Sequence, residues 1–69
     1  MSEVQIFLNG RPRHVPPGTD IDRLLELFSL PSQRVAIELN KAVVRRTDWP
    51  GTQLKEGDQL EVVHFVGGG

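Results

Sequence analysis

One segment of this chain, and only one, has the hydrophobic periodicity of an α-helix, and strand-like segments flank it on both sides. Four apolar residues of that segment share one helical face, at spacings of i, i+3, i+4 and i+7: Ile21, Leu24, Leu25 and Phe28. A capping-box pattern of Thr19 and Asp22 predicts that the helix begins near Asp20, and Pro31 predicts its end by residue 29 or 30. A single amphipathic helix buries its apolar face best against a sheet, so the sequence predicts an α+β fold.

The rest of the chain predicts the sheet. Alternating apolar residues indicate strands at residues 4–8, 11–15, 34–39, 42–44 and 59–66. Asn9-Gly10 favours a two-residue hairpin turn, because both positions of that turn need a positive φ. Pro12 places the returning strand at an edge of the sheet. Residues 45–51 are too polar for regular structure, although Trp49 is expected to cover the end of the core. The predicted architecture is a mixed sheet of four to five strands with one main helix.

Length and composition exclude several classes of protein. A chain of 69 residues forms one small domain that buries only about 60% of its unfolded surface, which leaves no room for a deep pocket. It has no cysteine, so disulfides, thiolate zinc sites and cysteine nucleophiles are excluded. Eight Lys and Arg residues balance nine Asp and Glu residues, which argues against a nucleic-acid or membrane-surface partner. No apolar run is long enough to span a membrane, and the expected location is the cytoplasm.

The sequence offers no convincing catalytic or metal-binding set. His14 and His64 are the only imidazoles and do not have the spacing of metal ligands on one helix. Asp20, Asp22 and Glu26 are better explained as the start and the solvated face of the helix. No Gly-Lys-Ser/Thr phosphate loop is present. We therefore predict no catalytic residue, no metal and no cofactor, and a stand-alone enzyme is the least favoured class.

Three glycines follow the last strand-like run. Gly67, Gly68 and Gly69 lack side chains and reach about 10–11 Å when extended, so such a segment can enter a channel too narrow for other residues. We expect residues 1–66 to form the folded domain and residues 67–69 to form a flexible C-terminal tail. Taken alone, the same glycines are equally typical of a linker or a loose terminus.

The chain resembles the ThiS-type sulfur carriers of the ubiquitin-like β-grasp (MoaD/ThiS) superfamily. The resemblance covers nearly the whole sequence and depends on several short motifs that occur in order: Asn9-Gly10, Pro17-Gly18-Thr19, Leu24-Leu25, Val43-Val44, Arg46 with Trp49, Gly57-Asp58, and the final run from Val63 through Gly69. It implies a β-grasp fold in which the first and last strands are central, adjacent and parallel.

The resemblance also implies a function. In such carriers a ThiF-like enzyme uses ATP and magnesium to adenylate the C-terminal carboxylate, which is then converted to a thiocarboxylate. The sulfur, supplied by a donor such as a cysteine desulfurase, is delivered to a ThiG-type thiazole synthase for thiamine biosynthesis. By this resemblance Gly69 carries the chemistry, and Gly67 and Gly68 give it slender passage into a partner. Because ATP is bound by the partner, the carrier itself needs no cofactor.

Two alternatives to the thiamine pathway stay open at this point. A related β-grasp carrier for molybdopterin or tRNA thiolation would use the same tail chemistry. A non-covalent ubiquitin-like interaction module would not need a free terminal carboxylate. The identity of the sulfur donor, the final sulfur acceptor and the oligomeric state do not follow from the sequence.

A partner-binding surface is predicted on the last strand. If Leu60 and Val62 face the core, Val63 and Phe65 point outward, and Phe7 points the same way on the first strand. Because these strands are adjacent in a β-grasp sheet, we expect Phe7, Val63 and Phe65 to form one exposed apolar patch, which is typical of an interface. The alternative is that Phe65 covers the edge of the core.

Overall fold

A five-stranded mixed sheet forms the framework of the domain. The computed structural model describes residues 2–65. In chain order its elements are β1 (Val4–Leu8), β2 (Arg11–Val15), α1 (Ile21–Leu27), β3 (Val35–Leu39), β4 (Ala42–Val44), a 3-10 helix (Arg46–Gly51) and β5 (Gln59–His64). The strand order is β2-β1-β5-β3-β4, with β1 and β5 parallel and the other pairs antiparallel. The predicted α+β class, the mixed sheet and the parallel pairing of first and last strands are confirmed.

Helix α1 begins one residue later than the predicted capping box requires. Asp20 is the N-cap, and its Oδ1 accepts a hydrogen bond from the Arg23 amide at 2.8 Å. Thr19 is buried instead, and its hydroxyl donates to the carbonyl of Pro16 at 2.7 Å. The predicted capping box of Thr19 and Asp22 is therefore wrong. The threonine hydroxyl closes the preceding turn, and Asp20 caps the helix instead.

The C-terminal end of α1 is closed by a Schellman motif. The Ser29 amide donates to the Glu26 carbonyl at 3.1 Å, and the Leu30 amide donates to the Leu25 carbonyl at 2.8 Å. This pattern requires a left-handed residue after the cap, and Ser29 takes that position with φ of 54°. The helix ends at Leu27, before Pro31, as predicted.

Both two-residue hairpins are tied to the central strand β5 through an asparagine. The turn residues Asn9 and Gly10 have φ of 50° and 82°, and Asn40 and Lys41 have φ of 52° and 71°, as type I′ turns require. Asn9 Oδ1 accepts from the Val62 amide at 2.8 Å, and Asn40 Oδ1 accepts from the Gln59 amide at 2.9 Å. Each turn therefore holds β5 from one side.

One apolar cluster lies between the sheet and the helices. Its buried members are Ile6, Leu8, Val15, Ile21, Leu24, Leu25, Val35, Ile37, Trp49, Leu54 and Leu60. Trp49 is buried as predicted, and its Nε1 donates to the Val44 carbonyl at 3.0 Å. The Arg46 guanidinium lies 4.6 Å from the centre of the Trp49 ring. The prediction of irregular structure at residues 45–51 was wrong, because the buried indole holds this segment in a 3-10 helix. No helix within residues 2–65 is long and apolar enough to cross a membrane.

Candidate functional site

The last strand leads directly toward the predicted tail. β5 lies between β1 and β3, and its sheet pairing continues to the last described residue, where the Phe65 amide donates to the Arg34 carbonyl at 2.8 Å. Gly67, Gly68 and Gly69 lie outside the described residues. The prediction that Gly69 carries the chemistry and that the other two glycines form a slender tail therefore stays a prediction.

The outer face of β5, opposite the core, carries exposed apolar side chains. Leu60 is fully buried on the core side, whereas Val63 is 45% exposed and Phe65 is 58% exposed. The structure thus gives both residues the outward positions expected from the alternation of the strand. The alternative in which Phe65 covers the core does not agree with its exposure.

Phe7 is on the same face but at a different level of the sheet. In the parallel pairing of β1 with β5, Phe7 is opposite Gln59, so Val63 lies four residues farther along the strand. That offset corresponds to about 13 Å. Phe7 is also half-buried rather than exposed. The single patch of Phe7, Val63 and Phe65 is therefore corrected to two separate apolar positions on one face, and their role in partner binding stays a prediction.

A shallow groove lies beside Phe7 on this face. It has a volume of about 210 Å³ and is lined by Phe7, Gly10, Gln59, Leu60 and Glu61. Gly10 leaves the turn of the first hairpin without a side chain at the groove. The groove therefore has an aromatic residue and an acidic residue in its lining, at the end of β1, where β5 continues beside β3.

Two glutamates that the sequence reasoning did not single out face each other on the central strands. Glu38 of β3 is directly opposite Glu61 of β5, and both alternate with core residues, which puts them on the outer face. Within residues 2–65 neither carboxylate has a hydrogen bond or an ion pair, and the one ion pair present joins Arg23 to Glu26 on the helix at 3.0 Å. The signal in the sequence was an outward glutamate in each of two predicted strands, but only the register shows that they meet.

The structure does not bring the two histidines together. His14 is on the edge strand β2 and His64 ends β5, with β1 between the two strands. Among residues 2–65 no group of three or more His, Cys, Asp or Glu side chains is arranged to hold a metal ion. An open groove of about 580 Å³ lies between β4 and the 3-10 helix and has one acidic residue, Asp48, in its lining.

Comparison with known proteins identifies the family. The family model described as the ThiS family matches residues 6–69. The chain belongs to the ThiS family. The crystal structure of a thiamine biosynthesis protein (ThiS) from Geobacter metallireducens superposes with a TM-score of 0.84 at 30% identity, covering 96% of this chain and all of that one. The predicted β-grasp fold is therefore confirmed.

Two kinds of relative are similar in sequence. The sulfur carrier protein ThiS of Bacillus subtilis is 37% identical over 63 residues, which cover 90% of this chain and 96% of the relative. A thiazole synthase of Magnetococcus marinus is 46% identical over 66 residues, which cover 96% of this chain but 20% of the relative. The chain thus spans about one fifth of the length of that thiazole synthase.

Proposed function

We propose that this chain is a sulfur carrier for thiamine biosynthesis, in which the carboxylate of Gly69 is converted to a thiocarboxylate that supplies sulfur for thiazole formation. The observation that carries this proposal is the ThiS family match, which extends through Gly69. The similarity to a free-standing ThiS of Bacillus subtilis along nearly its whole length supports it. Nothing in the sequence or in the described structure favours molybdopterin or tRNA thiolation.

The chemistry of the proposed reaction follows from the properties of a carboxylate. A free α-carboxylate is ionised at neutral pH and is a poor electrophile. Transfer of AMP from ATP to one carboxylate oxygen releases pyrophosphate and gives the acyl carbon a good leaving group. Hydrosulfide then forms a bond to that carbon and loses its proton, and the bond to AMP breaks with its electron pair leaving on AMP. A persulfide donor gives an acyl disulfide instead, and a thiol reductant must then cleave the S–S bond to release the thiocarboxylate. The product is a terminal thiocarboxylate that keeps its sulfur until an acceptor removes it.

The proposed partners divide this chemistry. A ThiF-like enzyme adenylates Gly69, a donor such as a cysteine desulfurase supplies the sulfur, and a ThiG-type thiazole synthase accepts it. The third partner is supported by the thiazole synthase of Magnetococcus marinus, which is 46% identical to this chain over one fifth of its length. In this proposal the chain carries the sulfur and the partners catalyse its transfer. The cytoplasmic location expected from the sequence stays a prediction.

The described structure supports a role for β5 as a rigid support for the tail. β5 is central, and it is held by β3 up to Phe65 and by Asn9 at Val62. A tail that leaves such a strand starts from a fixed point, which lowers the conformational entropy lost when a partner captures it. Val63 and Phe65, exposed beside that point, are proposed to contact the partner as the tail enters its active site.

The test is the intact mass of the full chain. The chain is incubated with a ThiF-like activating enzyme, magnesium, ATP and a sulfur donor, and the expected product has gained one sulfur and lost one oxygen at Gly69. A variant lacking Gly69 is the matched control and is expected to stay unmodified. ThiS of Bacillus subtilis in the same mixture shows that the enzymes are active. If that protein is converted and this chain is not, the proposed function is wrong.

A further inference from the structure

The outer face of the sheet is uncovered in the described part of the chain. The buried cluster and both helices lie on the other face. Exposed apolar residues are distributed across the uncovered face, from Val43 on β4, 71% exposed, to Val63 and Phe65 on β5. An uncovered sheet face is ordinary when its side chains are polar, whereas neighbouring exposed apolar side chains such as Val63 and Phe65 indicate contact with another protein.

The pairing of Glu38 with Glu61 on the outer face destabilises the folded state. Side chains directly opposite each other on neighbouring strands have Cβ atoms about 4.5–5.5 Å apart, and like charges in this arrangement repel. β5 is the central strand and β3 is next to it, so the sheet pairing holds the backbones of Glu38 and Glu61 at this spacing. No side chain among residues 2–65 forms an ion pair with either carboxylate. A cation from outside the described chain would relieve the repulsion.

The groove beside Glu61 is suited to one kind of cation. Its lining combines an aromatic residue, Phe7, an acidic residue, Glu61, and Gly10, which has no side chain. A guanidinium is planar, stacks on aromatic rings and pairs with a carboxylate through two hydrogen bonds. An ammonium group lacks this planar geometry, so the groove favours arginine over lysine.

We propose that an arginine side chain of thiazole synthase inserts into this groove, stacks on Phe7 and pairs with Glu61, with Glu38 adding a second negative charge. The inference rests on the proposed function, because it names a contact with the enzyme that receives the sulfur. Gly69 is eight residues beyond Glu61, so an extended chain places the reacting terminus at most about 26–29 Å from the Glu61 backbone. In this proposal the groove binds the enzyme at a distance from the reacting terminus. Val63 and Phe65 contact the enzyme between the groove and the tail.

Thiazole synthase is chosen as the occupant because of its relative from Magnetococcus marinus. In that protein a segment similar to this chain belongs to the same polypeptide as the rest of the thiazole synthase. Covalent linkage raises the effective concentration of two surfaces that already bind each other. The acidic pair on the carrier requires a basic complement on the enzyme, and such complementarity sets specificity and the rate of association.

The test compares three charge-removing variants in binding to a purified full-length thiazole synthase. Glu61→Gln and Glu38→Gln remove the two facing charges, and Glu26→Gln removes the same charge from helix α1 on the other side of the sheet. All proteins carry the unmodified Gly69 carboxylate, and Kd is measured by calorimetry at two salt concentrations. Glu61→Gln is expected to weaken binding about tenfold, because a hydrogen bond to a charged group is lost. Glu38→Gln weakens binding less, and Glu26→Gln leaves it unchanged.

Thermal unfolding of the same variants separates docking from folding. Relief of the repulsion raises the melting temperature of Glu61→Gln and Glu38→Gln by about 1–5 °C, so weaker binding cannot be attributed to unfolding. Unchanged binding by Glu61→Gln, or an equal loss in Glu26→Gln, overturns the proposal. The same Kd measurements are made with a ThiF-like activating enzyme, and a loss of affinity confined to that enzyme overturns the choice of thiazole synthase as the occupant. The intact-mass experiment does not depend on this contact, so the proposed function stands or fails separately.

Discussion

Asn9 joins the first hairpin to the strand that leads to the tail, and its replacement tests how β5 is held. The parallel pairing of β1 with β5 ends at Leu8 and Leu60. Beyond that point the Asn9 amide donates to the Leu60 carbonyl at 2.9 Å, and Asn9 Oδ1 accepts from the Val62 amide at 2.8 Å. The Asn9 side-chain oxygen thus takes the place of the backbone carbonyl that one further residue of β1 would offer to β5. Without it, the Val62 amide has no acceptor on that side of β5.

Three substitutions at Asn9 separate the two contributions of this side chain. Asn9→Gly removes the acceptor but tolerates φ of 50°, so it costs about 1 kcal/mol, the usual net value of a hydrogen bond. Asn9→Ala removes the acceptor and adds left-handed strain of about 1–2 kcal/mol, for a total near 2–3 kcal/mol. Asn9→Asp keeps an acceptor oxygen and tolerates the turn, so the free energy of unfolding changes by less than about 0.5 kcal/mol.

Urea unfolding and amide hydrogen exchange measure these effects. The three free energies of unfolding are expected in the order Asp, Gly, Ala from most to least stable. Exchange of the Val62 amide should accelerate in Asn9→Gly and Asn9→Ala relative to Asn9→Asp, by more than the loss of global stability explains. Equal stability of the Gly and Ala variants would contradict the strain argument. An unprotected Val62 amide in Asn9→Asp would contradict the role of the side-chain acceptor.

Two further predictions concern the helix end and the outer face. Ser29 has φ of 54° in the Schellman motif, so Ser29→Gly is expected to raise the free energy of unfolding by about 0.5–1 kcal/mol in chemical denaturation, and a destabilised variant would refute the assigned strain. Phe65 is 58% exposed, so Phe65→Ala should weaken binding to a sulfur-transfer partner about tenfold while changing stability by less than about 0.5 kcal/mol. The matched control is Leu27→Ala, a truncation on helix α1 where the side chain is 40% exposed, and equal binding losses in both would argue against a docking role for Phe65.

Most of the fold could be predicted because its determinants are local. The apolar stripe of α1 follows from a repeat within eight residues, and the bounds of β1, β2 and β4 agree with the predicted ranges. The two errors arose where burial in the core overrode the local pattern. Thr19 is drawn back to Pro16 in a buried turn, and Trp49 is buried against the core with its indole bonded to Val44. Both hydrogen bonds are short in sequence, but the burial of Thr19 and Trp49 that selects them depends on how the whole core packs.

The candidate site could be predicted only in part. The outward positions of Val63 and Phe65 follow from alternation once Leu60 is assigned to the core. The distance from Phe7 to Val63 depends on the register of β1 with β5, and these strands are separated by about 50 residues of chain. The pairing of Glu38 with Glu61 depends on a second register of the same kind.

Sequence alone therefore determined the strands and the main helix of this protein, their buried faces, its resemblance to the ThiS carriers and the glycines at residues 67–69. Turn residues, periodicity and composition act over a few neighbouring positions. Tertiary structure decided which of these elements meet, and at which level. It separated Phe7 from Val63, placed Glu38 opposite Glu61 on one face, and formed the hydrogen bond between Asn9 and Val62. The physical reason is that strand register is selected by packing of the whole core and by the closure of long loops, which no local pattern encodes.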